Sequence, residues 1–112
     1  MKLLISIVLA FLLILNCKKV NSNSKFENWS DYQGEMNWED AKAHCRNIGM
    51  RLPIIKELQE ASNVGLTVSW NAINYWSSTP SGEDTAYFFD IEFRRPMGFG
   101  KINLETSVRC VP

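Results

Sequence analysis

The residues able to do chemistry in this 112-residue chain are few and scattered. There are three cysteines (Cys17, Cys45 and Cys110) and one histidine, His44. Asp90 and Glu92 stand two apart, and Arg94, Arg95 and Lys101 follow them. A lone histidine beside a cysteine could serve as a base or a metal ligand. With no second histidine, and with Cys45 expected to be oxidised, a solvated surface histidine is the simpler reading. Asp90 and Glu92 could act as an acid–base pair or hold a cation. On an alternating strand they would instead share one solvent face. Arg94, Arg95 and Lys101 form the one basic concentration, suited to a sulfated glycan or a phosphate-rich surface, or else a solvated hairpin tip. Tyr87 is the aromatic side chain best placed for exposure, whereas Tyr75 and Trp76 read as core.

Twelve basic and twelve acidic residues cancel, so there is no basic excess of the kind a nucleic-acid binder carries. The N-terminus has the form of a targeting segment. Lys2 precedes Leu3–Leu15, an apolar run of thirteen residues broken by Ser6. Spanning a bilayer takes about 20 apolar residues, so the run suits a signal sequence better than a membrane helix. It ends in Ile14-Leu15-Asn16-Cys17, which resembles the lipobox of bacterial lipoproteins, with Asn16 where Gly, Ala or Ser is usual. The resemblance implies cleavage after residue 16, acylation of Cys17 and a polar tether over 17–25. The alternative is an ordinary cleaved signal peptide with Cys17 merely nearby. Once Cys17 is committed to lipid, Cys45 and Cys110 remain as an even pair, which an exported chain is expected to oxidise to a disulfide.

The elements that must position these groups form one domain, 26–112. Phe26 to Tyr32 reads as a first strand and Gln33-Gly34-Glu35 as a turn. Asn37 is a good helix N-cap, with Glu39 and Asp40 in the first turn. Trp38, Ala41, Cys45 and Ile48 share one helical face, and Gly49 is the stop. Pro53 breaks the chain before a second helix over Ile55–Ala61. Residues 66–74 are a loop or weak strand. Tyr75–Thr79 is a strand, and Pro80–Asp84 a turn. Ala86–Phe93 is a second strand with Phe89, Ile91 and Phe93 on one face and Asp90 and Glu92 on the other. A hairpin connection over 94–98, a return strand near 99–104 and a last strand at 106–111 complete an α+β domain of two short helices packed on short antiparallel strands.

Four blocks in order carry a resemblance: Trp38-Glu39-Asp40-Ala41 with Cys45; Arg51-Leu52-Pro53 with Lys56-Glu57-Leu58; Tyr75-Trp76-Ser77-Ser78-Thr79; and Val108-Arg109-Cys110-Val111. Together the domain resembles the bacterial Lcl C-terminal domain family, which has a C-type-lectin-like fold. The resemblance implies an extracytoplasmic domain whose relatives are often lipoproteins or parts of adhesins, some of them binding glycans or host polymers, and it does not imply an enzyme. Ile54 stands where the family commonly has Thr or Ser to cap the second helix, a change expected to cost about 1 kcal/mol unless a neighbour substitutes. The short 66–74 segment argues against a long ligand-binding loop.

Calcium-dependent lectins use a Glu-Pro-Asn or Gln-Pro-Asp tripeptide and a Trp-Asn-Asp, and none of these occurs. Calcium needs 6–8 oxygen ligands, more than Glu83-Asp84 supplies, so no metal or other cofactor is expected. The expectation is therefore a non-catalytic lipoprotein, held at the bacterial envelope (outer membrane or cell surface) by acylated Cys17. It would bind a glycan or an extracellular protein through Tyr87, Asp90, Glu92, Arg94, Arg95 and Lys101. The alternatives are a structural lipoprotein without a soluble ligand, or an enzyme or enzyme inhibitor.

Overall fold

A computed structural model describes residues 28–112. The expected signal segment, Cys17, the expected tether and Phe26 lie outside the described residues. The domain is α+β, with two helices, a 3-10 turn and a five-stranded sheet. In chain order these are β1 (Glu35–Met36), α1 (Trp38–Asn47), α2 (Ile55–Asn63), the 3-10 turn (Leu66–Ser69), β2 (Asn74–Pro80), β3 (Thr85–Asp90), β4 (Arg95–Lys101) and β5 (Thr106–Ser107). The sheet order is β1-β5-β2-β3-β4. β2–β3, β3–β4 and β1–β5 are antiparallel, while β2 and β5 run parallel. That parallel pair departs from the all-antiparallel expectation, because the last strand returns to the middle of the sheet instead of extending its edge.

The sheet is buried on both faces. Successive strand residues point to opposite sides, and here each side meets its own core. Trp76 and Phe88 pack with Ala41, Cys45, Leu52, Val108 and Cys110 on the α1 side. Tyr75 and Phe89 pack with Leu58, and with Ile55, Trp29, Tyr32 and Trp70 around them, on the α2 side. A strand covered on both sides has no reason to alternate apolar with polar. This accounts for the continuous burial of Tyr75-Trp76-Ser77 and of Phe88-Phe89-Asp90.

Two indoles lace α1 to the sheet. Trp38 Nε1 donates to Ser77 O at 2.8 Å, and Trp76 Nε1 donates to Met36 O at 2.9 Å. Each thus buries its ring while satisfying its one polar atom. Cys45 and Cys110 form the expected disulfide, with their Cα atoms 5.6 Å apart and 65 residues between them in sequence. Beside it, Arg51 and Val111 exchange two backbone hydrogen bonds, each 2.8 Å.

Local chemistry explains the helices. Asn37 Oδ1 accepts from Asp40 N at 2.9 Å, capping α1, and Gly49 takes the left-handed backbone at φ 75°. Ile48 follows the last helical turn as its C-cap and is 45% exposed, so it does not join the buried face that its spacing predicts. Ile54 has no side-chain oxygen for α2, and two neighbours substitute. Glu57 Oε1 accepts from Ile54 N at 2.9 Å, and Thr79 Oγ1 accepts from Ile55 N at 3.2 Å. The same Glu57 carboxylate holds Arg51 through two bonds of 2.7 and 3.0 Å. That hydrogen bond raises the Arg51 guanidinium above its ordinary range.

The expected strand over 26–32 is a correction. Residues 29–34 run beside the C-terminal segment without a regular ladder. Ser30 N donates to Cys110 O, Gln33 N to Val108 O, and Val108 N to Gly34 O. Gly34, at φ 99°, then turns the chain into β1, so Glu35 opens a short strand where a turn was expected. The last strand is likewise shorter than 106–111. It comprises Thr106–Ser107, followed by the isolated pairing of Val111 with Arg51.

Candidate functional site

One end of the domain is built from three loops. α2 ends at Asn63, and Gly65, at φ 80°, starts the 3-10 turn. Within that turn Thr67 faces inward and is 5% exposed, while Val68 is 86% exposed. Trp70 then folds back. Its ring centroid lies 5.1 Å from Trp29 and 4.8 Å from Tyr75. The Arg109 guanidinium sits 4.8 Å from the Trp70 ring. Its NH1 donates to Ser30 O at 3.2 Å, and its buried Nε has no hydrogen-bond partner. The ring faces compensate the charge where hydrogen bonds do not. The Tyr75 hydroxyl accepts from Ala72 N at 3.2 Å and donates to Asn71 Oδ1 at 3.4 Å, fixing the loop from below.

The second wall is the β3–β4 turn. Asp90 is the pivot, 8% exposed, with Oδ1 accepting from both Glu92 N and Phe93 N at 2.9 Å. Such a local bond favours a turn over a continuing strand. β3 therefore ends at Asp90, and β4 begins at Arg95, earlier than the expected return strand near residue 99. Arg94 takes a left-handed backbone at φ 57°. Its Nε donates to Ser62 Oγ and its NH2 to Ser62 O, both at 3.1 Å, which puts a cation on the C-terminal turn of α2. Ile91 N donates to Ile73 O at 2.9 Å and joins the two walls.

Between these walls lies an open hollow of about 670 Å³, lined by residues 62–65, 67, 68, 70–73, Ile91, Glu92 and Arg94. Seven large apolar side chains are exposed among the described residues, and four of them, Val64, Val68, Ile73 and Phe93, lie in or beside this hollow. A second hollow of about 440 Å³ backs onto it across Asn71, Ala72 and Ile73. Its other lining residues are Tyr32, Glu35, Asn74, Glu105, Thr106 and Ser107.

The site residues expected from sequence are only partly brought together. Glu92 and Arg94 line the first hollow. Asp90 and Glu92 do not share a solvent face, because the chain turns after Asp90 and commits that carboxylate to backbone amides. Phe93 is 66% exposed for the same reason, not part of an inward face with Phe89. Arg95 pairs with Asp90 at one end of the β3–β4 ladder, and Lys101 with Thr85 at the other. Six residues of strand put them about 20 Å apart, so the three cations form no single cluster. Tyr87 is half-buried against Gly98, where a Cβ would come within 2.6 Å of Tyr87 Cε1. His44 is also partnered, its Nε2 lying 2.7 Å from Gln33 Oε1, so it is not simply solvated. The hollow's apolar lining in 64–73 is not among the residues expected from sequence. Val64, Val68 and Ile73 carry no signal distinguishing an exposed apolar residue from a core one.

A protein-family model, described as a domain of unknown function (DUF8780), matches residues 29–110. The chain belongs to that family. The match runs from Trp29, which packs on Trp70, to Cys110 of the disulfide, so it takes in both walls of the hollow. No curated protein matches the chain. Among the described residues, no helix is long and apolar enough to cross a membrane. No group of three or more His, Cys, Asp or Glu is placed among them to hold a metal ion.

Proposed function

We propose that this protein is a non-catalytic, lipid-anchored binding module of the bacterial envelope. Its C-type-lectin-like domain holds an extracellular glycan or protein in the hollow between residues 62–73 and the β3–β4 turn. The observation carrying this reading is the gathering of Val64, Val68, Ile73 and Phe93 at one end of a domain whose other large apolar side chains among the described residues, Ile48, Ile54 and Leu104 apart, are buried or half-buried. A patch of that kind on a small exported domain marks a contact surface. The walls are pinned by Asp90, Arg94 and Trp70, so the surface is held in shape before any ligand arrives. Asp90 and Arg94, the charged groups closest in type to catalytic ones, are spent on the scaffold.

The sequence supports the anchor. The apolar run stops at Cys17, and the remaining cysteines pair with each other. Acyl chains contribute about 0.8 kcal/mol per buried methylene, so a multiply acylated Cys17 is a stable anchor. Mass spectrometry of the exported protein is expected to find a diacyl or triacyl cysteine at residue 17; an unmodified N-terminus elsewhere contradicts the anchor. The binding claim is tested by presenting the exported protein to glycan and extracellular-matrix protein arrays. Binding that disappears in a Val68→Asp, Phe93→Asp double variant is expected. Silence of folded wild-type protein on every array would point instead to a purely structural lipoprotein.

A further inference from the structure

The two hollows behind one another on the Asn71–Ile73 ridge differ in chemistry, and the difference selects a ligand class. The first is walled by Val64, Val68, Ile73 and Ile91; its one cation, Arg94, is turned onto Ser62, and its one carboxylate, the exposed Glu92, lies on the β3–β4 turn. The second is lined by Glu35 and Glu105, both exposed, and no Lys or Arg lines it. Neither carboxylate has an ion-pair partner among the described residues. Glu35 comes from β1 and Glu105 from the residue before β5, so the β1–β5 pairing holds them at one edge of the sheet.

Resting on the reading of the first hollow as a binding site, we infer that the ligand is a polypeptide segment. It places an apolar side chain in the first hollow and a lysine or arginine, a few residues away, between Glu35 and Glu105. An anionic glycan fits poorly, since it would meet Glu35 and Glu105 in one hollow, Glu92 in the other and no free cation in either. A neutral sugar needs an open aromatic face, but the Trp70 ring is already met by Trp29, Tyr75 and Arg109, and the exposed Phe93 ring beside the hollow carries the Arg95 guanidinium over it at 5.5 Å. An anionic bilayer would face a concave surface carrying the same carboxylates. A peptide chain supplies both chemistries on one flexible backbone, and opposite charge across the ridge fixes its direction.

The test uses the full chain as exported and short synthetic peptides of Gly, Ser and Ala that carry one Phe. A Lys or a Glu is placed one to three residues from the Phe, and binding is followed by fluorescence anisotropy. Heparin fragments and phosphatidylglycerol vesicles are run beside them. The Phe/Lys peptides are expected to bind about fivefold tighter than their Phe/Glu counterparts, the scale of a partly exposed ion pair. In a Glu35→Gln, Glu105→Gln variant that gap closes to below about twofold while Phe-dependent binding persists. In Val68→Asp both peptide classes lose binding. Equal binding of Lys and Glu peptides, or a gap that survives Glu35→Gln, Glu105→Gln, overturns the inference. Capture of heparin or vesicles with the peptides ignored overturns it too, yet leaves the hollow as a binding site. Silence toward all three probes by folded protein removes both.

Discussion

The two ends of this domain handle their apolar residues in opposite ways. At the α1 end Trp76, Leu52, Val108 and the Cys45–Cys110 bridge are sealed, and even the indole N–H groups find carbonyls. At the loop end Val64, Val68, Ile73 and Phe93 stand in solvent on loops that are nonetheless firmly tied. Ordered loops carrying exposed apolar groups gain nothing in stability from that exposure. The difference sets a sealed core on the α1 side against a loop end that keeps its own core of Leu58, Tyr75 and Phe89 but leaves an apolar surface open, the surface that the proposed function uses.

Substitutions can break or sharpen that contrast. Trp76→Ala removes a fully buried ring and the hydrogen bond to Met36 O, and should lower unfolding free energy by about 3–5 kcal/mol in a urea titration. A loss below 1 kcal/mol would mean the α1 side is not the main core. Replacing both cysteines, Cys45→Ser with Cys110→Ser, frees a loop of 65 residues and should cost about 4 kcal/mol by chain entropy. Calorimetry of the oxidised and double-serine proteins measures this, and equal melting temperatures would deny the bridge its role. Glu57→Ala takes away the substitute cap of α2 and the Arg51 pair together. The pair is half exposed and counts for little, so about 1–2 kcal/mol is expected, mostly from the cap. Equal losses for Glu57→Ala and Glu57→Gln would assign the effect to the charge pair instead.

How much of this was legible in the residues depends on which signal each element carries. α1 was readable because Asn37, the 3-4-3 spacing and Gly49 all agree, and the disulfide followed from cysteine parity. β3 ends at Asp90, short of the expected Phe93, although Asp90-Ile91-Glu92-Phe93 alternates like a strand. The Asp90 carboxylate's bonds to the next two amides, which end the strand, are a three-dimensional fact. The burial of both sheet faces hid β2 and β3 from any alternation test. The first wall of the hollow gave no warning, since an apolar residue looks the same in sequence whether Trp70 pins its loop inward or it faces water. The acidic hollow was unreadable for another reason. Glu35 and Glu105 are 70 positions apart and come to line one hollow only through the β1–β5 pairing.

The separation of fold from recognition is tested most directly by one paired measurement on Val68→Asp with Phe93→Asp. Both side chains are largely exposed, so urea unfolding should shift by less than about 0.5 kcal/mol. Binding by the full chain to whatever ligand the arrays or peptides return should at the same time be lost. Unchanged binding, or a stability loss on the scale of Trp76→Ala, would contradict the account.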